Sequence, residues 1–252
     1  MKKTNYIESK HKPPFYKFLR CFISLFYKKR KFLNQENILK EPSIYISNHA
    51  QLHGPLTNEM FFPRKKMIWC IGQMMNIKEV PSYSYQDFWS KKPKCLKWFY
   101  KLLSYLIAPL SSYIFTHADT IAVYKDSRLI DTYRKTIKAL EEDKNIIIFP
   151  EKDQLYNEII SEFQDKFVDV ARLYYKKTGI KVAFIPMYNS PKLKTVIFGR
   201  AIYYDPNINI NEQRDIIITH LKNEITTLAK SLPPHKVVPY QNISKRKYPM
   251  SK

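Results

Sequence analysis

RLIDTYRKTIKALEEDKNIIIFP, Arg128 to Pro150, holds one complete passage from helix to strand. RLIDTYRKTIKALEED (128–143) reads as a helix, and NIIIFP (145–150) as the short, continuous apolar run of a buried strand. Further runs of that strand type are SIYIS (43–47), MIWCIG (67–72), TIAVY (120–124), KVAFIPMY (181–188) and KTVIFG (194–199). A second helical stretch, EFQDKFVDVARLYYKKTG (162–179), leads into KVAFIPMY and ends in Gly179, where a helix C-cap sits. Strands alternating with helices predict an α/β fold: a mainly parallel sheet flanked by helices, in a single domain with an N-terminal amphipathic helix.

The bulk composition suits such a domain. At 252 residues and 44% hydrophobic, the chain has ample material for one core. Its 43 Lys+Arg against 22 Asp+Glu give a formal charge of +21, a positive field that attracts anionic membranes, nucleic acid or phosphorylated substrates. Part of that excess follows from an AT-biased coding sequence, which also accounts for the abundance of Lys, Asn, Ile, Tyr and Phe beside only four Gly. Cys21, Cys70 and Cys95 have no CxxC spacing, so neither a disulfide framework nor a zinc knuckle is expected, and a reducing cytoplasmic setting fits. MKKTNYIESKHKPP lacks the pattern of a cleavable signal peptide, so secretion is not expected.

Four segments are expected outside the strand–helix alternation. Residues 1–40 form a basic amphipathic N-terminal segment. Within it PFYKFLRCFISLFYKKRKF (14–32) spaces Phe15, Phe18, Leu19, Phe22, Ile23 and Phe26 as one helix face, with Lys17, Arg20, Lys28, Lys29, Arg30 and Lys31 beside or after them. Such a helix either packs on the core or lies in a membrane interface with its cations near lipid phosphates. Trp98 to Phe115 approaches the length of a membrane span but carries Lys101 and Pro109, which leaves a buried helix or one dipping into a single leaflet. Lys78 to Lys97 reads as a long excursion or lid. The main domain covers 41–232, and 233–252 is a Pro-rich basic tail that wraps the surface or is partly disordered.

SNHAQLHGPL, Ser47 to Leu56, places two histidines directly after an expected strand end, where α/β enzymes tend to carry their chemistry. Three further blocks follow in order: TIAVYKDSR, IIIFPEKD and FIPMY. Together they resemble the glycerolipid acyltransferase family, which contains the 1-acylglycerol-3-phosphate acyltransferases. In that family the first block is Asn-His, four residues, then Asp. The second is a strand ending near an Arg, the third Phe-Pro-Glu-Gly-Thr-Arg, and the fourth a strand with a central Pro. The resemblance spans roughly Ser43 to Gly199.

It implies acyl transfer from a thioester to a hydroxyl, which needs a base, a partner holding that base in the right tautomer, and donors for the oxyanion. His49 matches the catalytic base, with Asn48 shaping the turn. Phe149, Pro150 and Glu151 match the third block, whose loop binds the acceptor, and Pro186 matches the fourth. Two departures stand out. Five residues after His49 the family's orienting Asp is replaced by Gly54; His53, or a carboxylate from Asp126, Asp153, Glu79 or Asp87, is left to take its place. Gly-Thr-Arg is replaced by Lys152, Asp153 and Gln154, so Lys152 meets a phosphate only as a point charge. Lys125 and Arg128 are the cations nearest the second block's Arg.

His49 and His53 have metal-ligand spacing on a helix, but no third ligand accompanies them, and no metal or bound organic cofactor is expected. No recognisable nucleic-acid motif accompanies the interleaved cations and aromatics, so no nucleic-acid partner is expected. The expectation is therefore an acyltransferase on the cytoplasmic face of a membrane, peripheral or monotopic. It would use acyl-CoA or acyl carrier protein as co-substrate and a lysophospholipid-like acceptor. The alternative is a catalytically inactive member retained as a lipid- or membrane-binding protein.

Overall fold

The six apolar runs identified in the sequence are strands of the eight-stranded central sheet, which also takes in Lys31–Leu33 and Ile202–Tyr203. The computed structural model describes residues 12–90 and 92–252. The first eleven residues of the basic N-terminal segment, with most of the stretch inspected for a signal peptide, lie outside the described residues, as does Lys91.

In chain order the elements are α1 (Pro14–Phe26), β1 (Lys31–Leu33), β2 (Ile44–Ser47), α2 (His53–Phe61), β3 (Lys66–Ile71), α3 (Val80–Ser84) and α4 (Lys97–His117). These are followed by β4 (Thr120–Val123), α5 (Leu129–Glu141), β5 (Asn145–Ile148), β6 (Glu151–Leu155), β7 (Ser161–Phe163) and α6 (Asp169–Thr178). The chain continues through β8 (Ala183–Ser190), β9 (Thr195–Phe198), β10 (Ile202–Tyr203) and α7 (Ile210–Ser231). The sheet runs β1-β9-β8-β2-β5-β3-β4, with β10 also on β8. Every pairing is parallel except those of β8 with β9 and β10, so the fold is the expected mainly parallel α/β sheet flanked by helices in a single domain.

The central strands β2, β5 and β8 are buried along their whole length, which is why they read as continuous apolar runs rather than alternating ones. Proline in a central strand removes a ladder donor. Pro186 is tolerated because it falls where the outer neighbour of β8 changes: Ala183 and Phe184 pair with β10, Met187 to Ser190 with β9.

The helix expected over 162–179 starts later. Ser161–Phe163 pairs instead with β6 as a separate two-stranded sheet, and α6 begins at Asp169 and ends at Gly179, whose φ of 72° caps it. The helix expected over 14–32 stops at Phe26, because Lys31–Leu33 is drawn into the sheet edge against β9.

α1 and α4 do not pack like ordinary amphipathic helices. In α4 the inward residues are Ser104, Ala108 and Ser111, whereas Trp98, Leu102, Tyr105 and Leu106 are 50–68% exposed. The buried-helix alternative for this segment is thereby set aside. No helix among the described residues is long and apolar enough to cross a membrane. In α1 only Tyr16 is buried, and Leu25 and Phe26 are 71% and 76% exposed. The Phe15 and Tyr113 rings lie 5.4 Å apart, so the two apolar faces adjoin. An ion cluster secures this end of the chain: Lys12 bridges Glu59 and Asp119 at 2.9 Å each, and Lys66 reaches Glu59 at 3.1 Å.

The tail is packed. His235 meets the Tyr188 hydroxyl at 2.9 Å, and Lys236 bridges to Met250, closing residues 237–249 into a loop over the end of β2. Ala50 is buried there with Val238 and Tyr248.

Candidate active site

The parallel register of the sheet sets up the site. Ile46 stands opposite Ile148, an offset of 102 residues, and the same offset carries past both strand ends to place Glu151 opposite His49. The Glu151 carboxylate accepts the His49 backbone N–H at 2.5 Å and the Ser161 N–H at 2.9 Å. On the other side of β2, the Asn48 side chain pairs with the backbone of Asn189 like a short piece of ladder, accepting its N–H at 2.7 Å and donating to its carbonyl at 3.0 Å. The loop that starts at His49 is therefore tied to the start of β6, just past β5, and to β8.

Ala50 and Gln51 follow in left-handed conformations, with φ of 46° and 54°. Neither is glycine, so each costs on the order of 1 kcal/mol or more and persists only because its surroundings hold it. The closed tail loop does so. The Gln51 amide donates to the Tyr248 hydroxyl oxygen at 3.0 Å and to the Gln241 carbonyl at 3.3 Å, while Ala50 is buried against Val238 and Tyr248.

This turn brings the Gln51 carbonyl against Nδ1 of His49. A carbonyl only accepts, so Nδ1 carries the proton and Nε2 is the basic nitrogen. Edge-on rings of Phe149 and Tyr240, 5.2 and 5.5 Å away, confine the imidazole. Burial holds its pKa below the ordinary value, against the upward pull of its backbone hydrogen bonds.

Gly54 donates its N–H to the His49 carbonyl at 3.0 Å. A Cβ there would stand 2.5 Å from that carbonyl oxygen, 2.8 Å from the Phe149 ring and 3.0 Å from the Asn48 carbonyl. The position where the resembled family carries Asp is thus closed to any side chain in this loop, and the carbonyl of Gln51 occupies the orienting place.

The remaining sequence candidates are distributed as follows. Pro150 accepts from Gln164 at 2.8 Å and closes the turn into β6. Lys152 points outward from β6. The His53 ring faces the Tyr27 hydroxyl at 3.2 Å rather than His49. Lys125 and Arg128 lie beyond β3, at the end of β4, and Arg128 is committed to Asp126 at 2.7 Å and Glu79 at 3.4 Å over the Tyr124 ring. Asp87 and Asp153 line a cleft of about 370 Å³ with Gln241. None of these four carboxylates is a partner of His49. Among the described residues, no group of three or more possible metal ligands gathers. Gln51, Tyr240, Gln241 and Tyr248 were not singled out by sequence, because nothing marks a non-glycine residue for a left-handed turn or a tail for a distant loop.

Glu151 supplies a test of this construction. Burial pushes its carboxyl up to about 7, against the downward pull of the two N–H groups. Unfolded glutamate titrates near about 4.3, so the folded state binds more protons between the two values. The stability Glu151 contributes is full below about 4.3 and is lost as pH rises to about 7. Glu151→Gln turns one acceptor into a donor facing an N–H and is expected to cost about 1–3 kcal/mol at pH 5. That deficit should shrink or reverse by pH 8 in urea unfolding; a deficit independent of pH would contradict it.

No family model matches the chain, and no curated protein sequence matches it. Among solved structures it is similar to the crystal structure of the 1-acyl-sn-glycerophosphate (LPA) acyltransferase PlsC from Thermotoga maritima, at 16% identity and a TM-score of 0.46. The alignment covers 84% of this chain and 78% of that one. A likeness that distant assigns neither substrate nor site residues, which have to come from the geometry.

Proposed function

We propose that this protein is a membrane-surface acyltransferase, moving a fatty acyl group from acyl-CoA or acyl carrier protein to a hydroxyl of a lysophospholipid-like acceptor. The observation that carries this reading is the His49 imidazole, held by the Gln51 carbonyl in the tautomer that leaves Nε2 basic. Nε2 takes the proton of the acceptor hydroxyl as its oxygen attacks the thioester carbonyl. The C–S bond of the resulting tetrahedral intermediate then breaks, and the imidazolium returns the proton to the leaving thiolate. A backbone carbonyl selects the same tautomer as a carboxylate but brings no full negative charge, so the imidazolium is less stabilised than in an Asp-supported triad. Acceptor-dependent thiol release from an acyl-thioester donor tests the reading. Absence of release with every donor and acceptor pair, in a folded and membrane-binding protein, transfers it to the inactive lipid-binding alternative.

The adjoining apolar faces of α1 and α4 support the surface part of the proposal. Exposed apolar side chains on both helices, with Lys17, Lys28, Lys29 and Lys97 exposed within or beside them, have the composition of a helix pair lying in an anionic lipid interface. Both donors are anionic as well, which suits a chain of net charge +21 on the cytoplasmic face of a membrane. Phe18→Ser and Phe22→Ser are each expected to weaken binding to anionic vesicles roughly ten- to a hundredfold, since burying one such ring is worth about 1.5–3 kcal/mol. Sedimentation with vesicles equal to that of wild type would reject this face.

A further inference from the structure

Arg30 is 7% exposed, the one arginine among the described residues that is buried. Its Nε donates to Thr57 Oγ1 at 3.4 Å and its guanidinium lies 4.1 Å over the Tyr27 ring, yet no carboxylate pairs with it among the described residues. The chain's other buried cations are treated differently. Lys12 and Lys66 share Glu59 and Asp119, and Lys222 reaches Glu162 at 3.0 Å. A buried cation without a counter-charge is costly, and a folded chain keeps one where an anion arrives from outside.

Two further cations act electrostatically on the histidine next to Arg30. Tyr27 joins Arg30 to the base loop: its hydroxyl meets Thr57 Oγ1 at 2.9 Å and His53 Nδ1 at 3.2 Å, and the Tyr27 and His53 rings stack at 5.9 Å. Lys192, in the turn between β8 and β9, and Lys245, in the closed tail loop, are exposed. Neither has a carboxylate partner among the described residues. Burial, then Arg30, then these two lysines hold the His53 imidazole below its ordinary pKa.

We propose that Arg30, His53, Lys192 and Lys245 form a binding site for a phosphomonoester, four residues along the loop from His49. A guanidinium presents paired donors to phosphate oxygens, and the two lysines add mobile charge at the rim. The proposal rests on the acyl-transfer reading only for the source of the phosphate, which is either the acceptor's headgroup or the 3′-phosphate of a CoA donor.

The test is thermal unfolding of the full chain in a titration with inorganic phosphate, against chloride at matched ionic strength. Wild type is expected to show saturable protection. Arg30→Gln should raise the half-saturating phosphate concentration about tenfold or more, and Lys192→Gln with Lys245→Gln, which alters exposed residues only, by several-fold. Phosphate protecting wild type no better than chloride, or protecting Arg30→Gln equally, overturns the site. The source is then read from two pairs of probes, CoA against 3′-dephospho-CoA and glycerol 3-phosphate against glycerol. An Arg30-dependent preference for the phosphorylated member of a pair assigns it, and no such preference in either pair overturns a substrate site. Saturable Arg30-dependent phosphate binding without thiol release from any pair keeps the site and removes the acyltransferase reading. Thiol release without an Arg30-dependent phosphate effect does the reverse.

Discussion

A His49→Ala variant is expected to keep its fold and to lose acceptor-dependent thiol release by about 10²–10⁴-fold, the range over which a positioned general base acts. The fold should survive because the loop is tied down by groups other than the imidazole. The His49 backbone N–H stays on Glu151, Asn48 stays on Asn189, and Gln51 stays on Tyr248 and Gln241. What disappears is the basic Nε2 and the ring that fills the space between Phe149 and Tyr240. The pH profile adds an independent check. Since burial lowers the pKa of His49, the neutral base persists to more acidic pH than a free histidine allows. The acid limb of kcat/KM in wild type is therefore expected below about 6.5, and activity is lost as pH falls through that limb. Undiminished thiol release from His49→Ala would remove the base from this loop altogether.

Restoring the family-like carboxylate should make the protein worse. Gly54→Asp is expected to lower acceptor-dependent thiol release by about 10²-fold or more, because a displacement of roughly an ångström in a reacting group is enough for such a loss. The new Cβ would meet the His49 carbonyl at 2.5 Å and the Asn48 carbonyl at 3.0 Å, both backbone atoms that cannot rotate away. The loop must shift to admit it, breaking the Gly54 N–H to His49 carbonyl bond and moving the imidazole from the Gln51 carbonyl. Overpacking of this kind costs about 1–3 kcal/mol, which in a chain of this length lowers the unfolding midpoint by about 2–4 °C per kcal/mol. Gly54→Ala should share the loss in stability, which separates the effect of the Cβ from that of the carboxylate. A Gly54→Asp variant more active than wild type would instead mean that the loop opens readily and that an aspartate at this position can reach Nδ1 in place of the Gln51 carbonyl.

The composition and periodicity of the chain determined the strands and their α/β alternation, because a strand buried on both faces must be apolar along its length, as Ile44 to Ile46 and Ile146 to Ile148 are. The blocks that resemble the acyltransferase family marked His49 and Glu151 as candidates just past two strand ends, and apolar periodicity marked the face of α1. Tertiary structure decided everything that depends on who stands beside whom. The register that sets Glu151 against the His49 backbone spans 102 residues, and the contact between Gln51 and Gln241 spans 190. Neither leaves a local trace, since a side chain's partner across the sheet is set by strand order and not by its own neighbours. Apolar content marked the α4 segment but not where its side chains go: packing of Ser104, Ala108 and Ser111 turned the apolar ones outward. The orienting group of His49 was the least visible of all, because it is a main-chain carbonyl in a left-handed turn that any residue type could supply and only the folded tail holds in place.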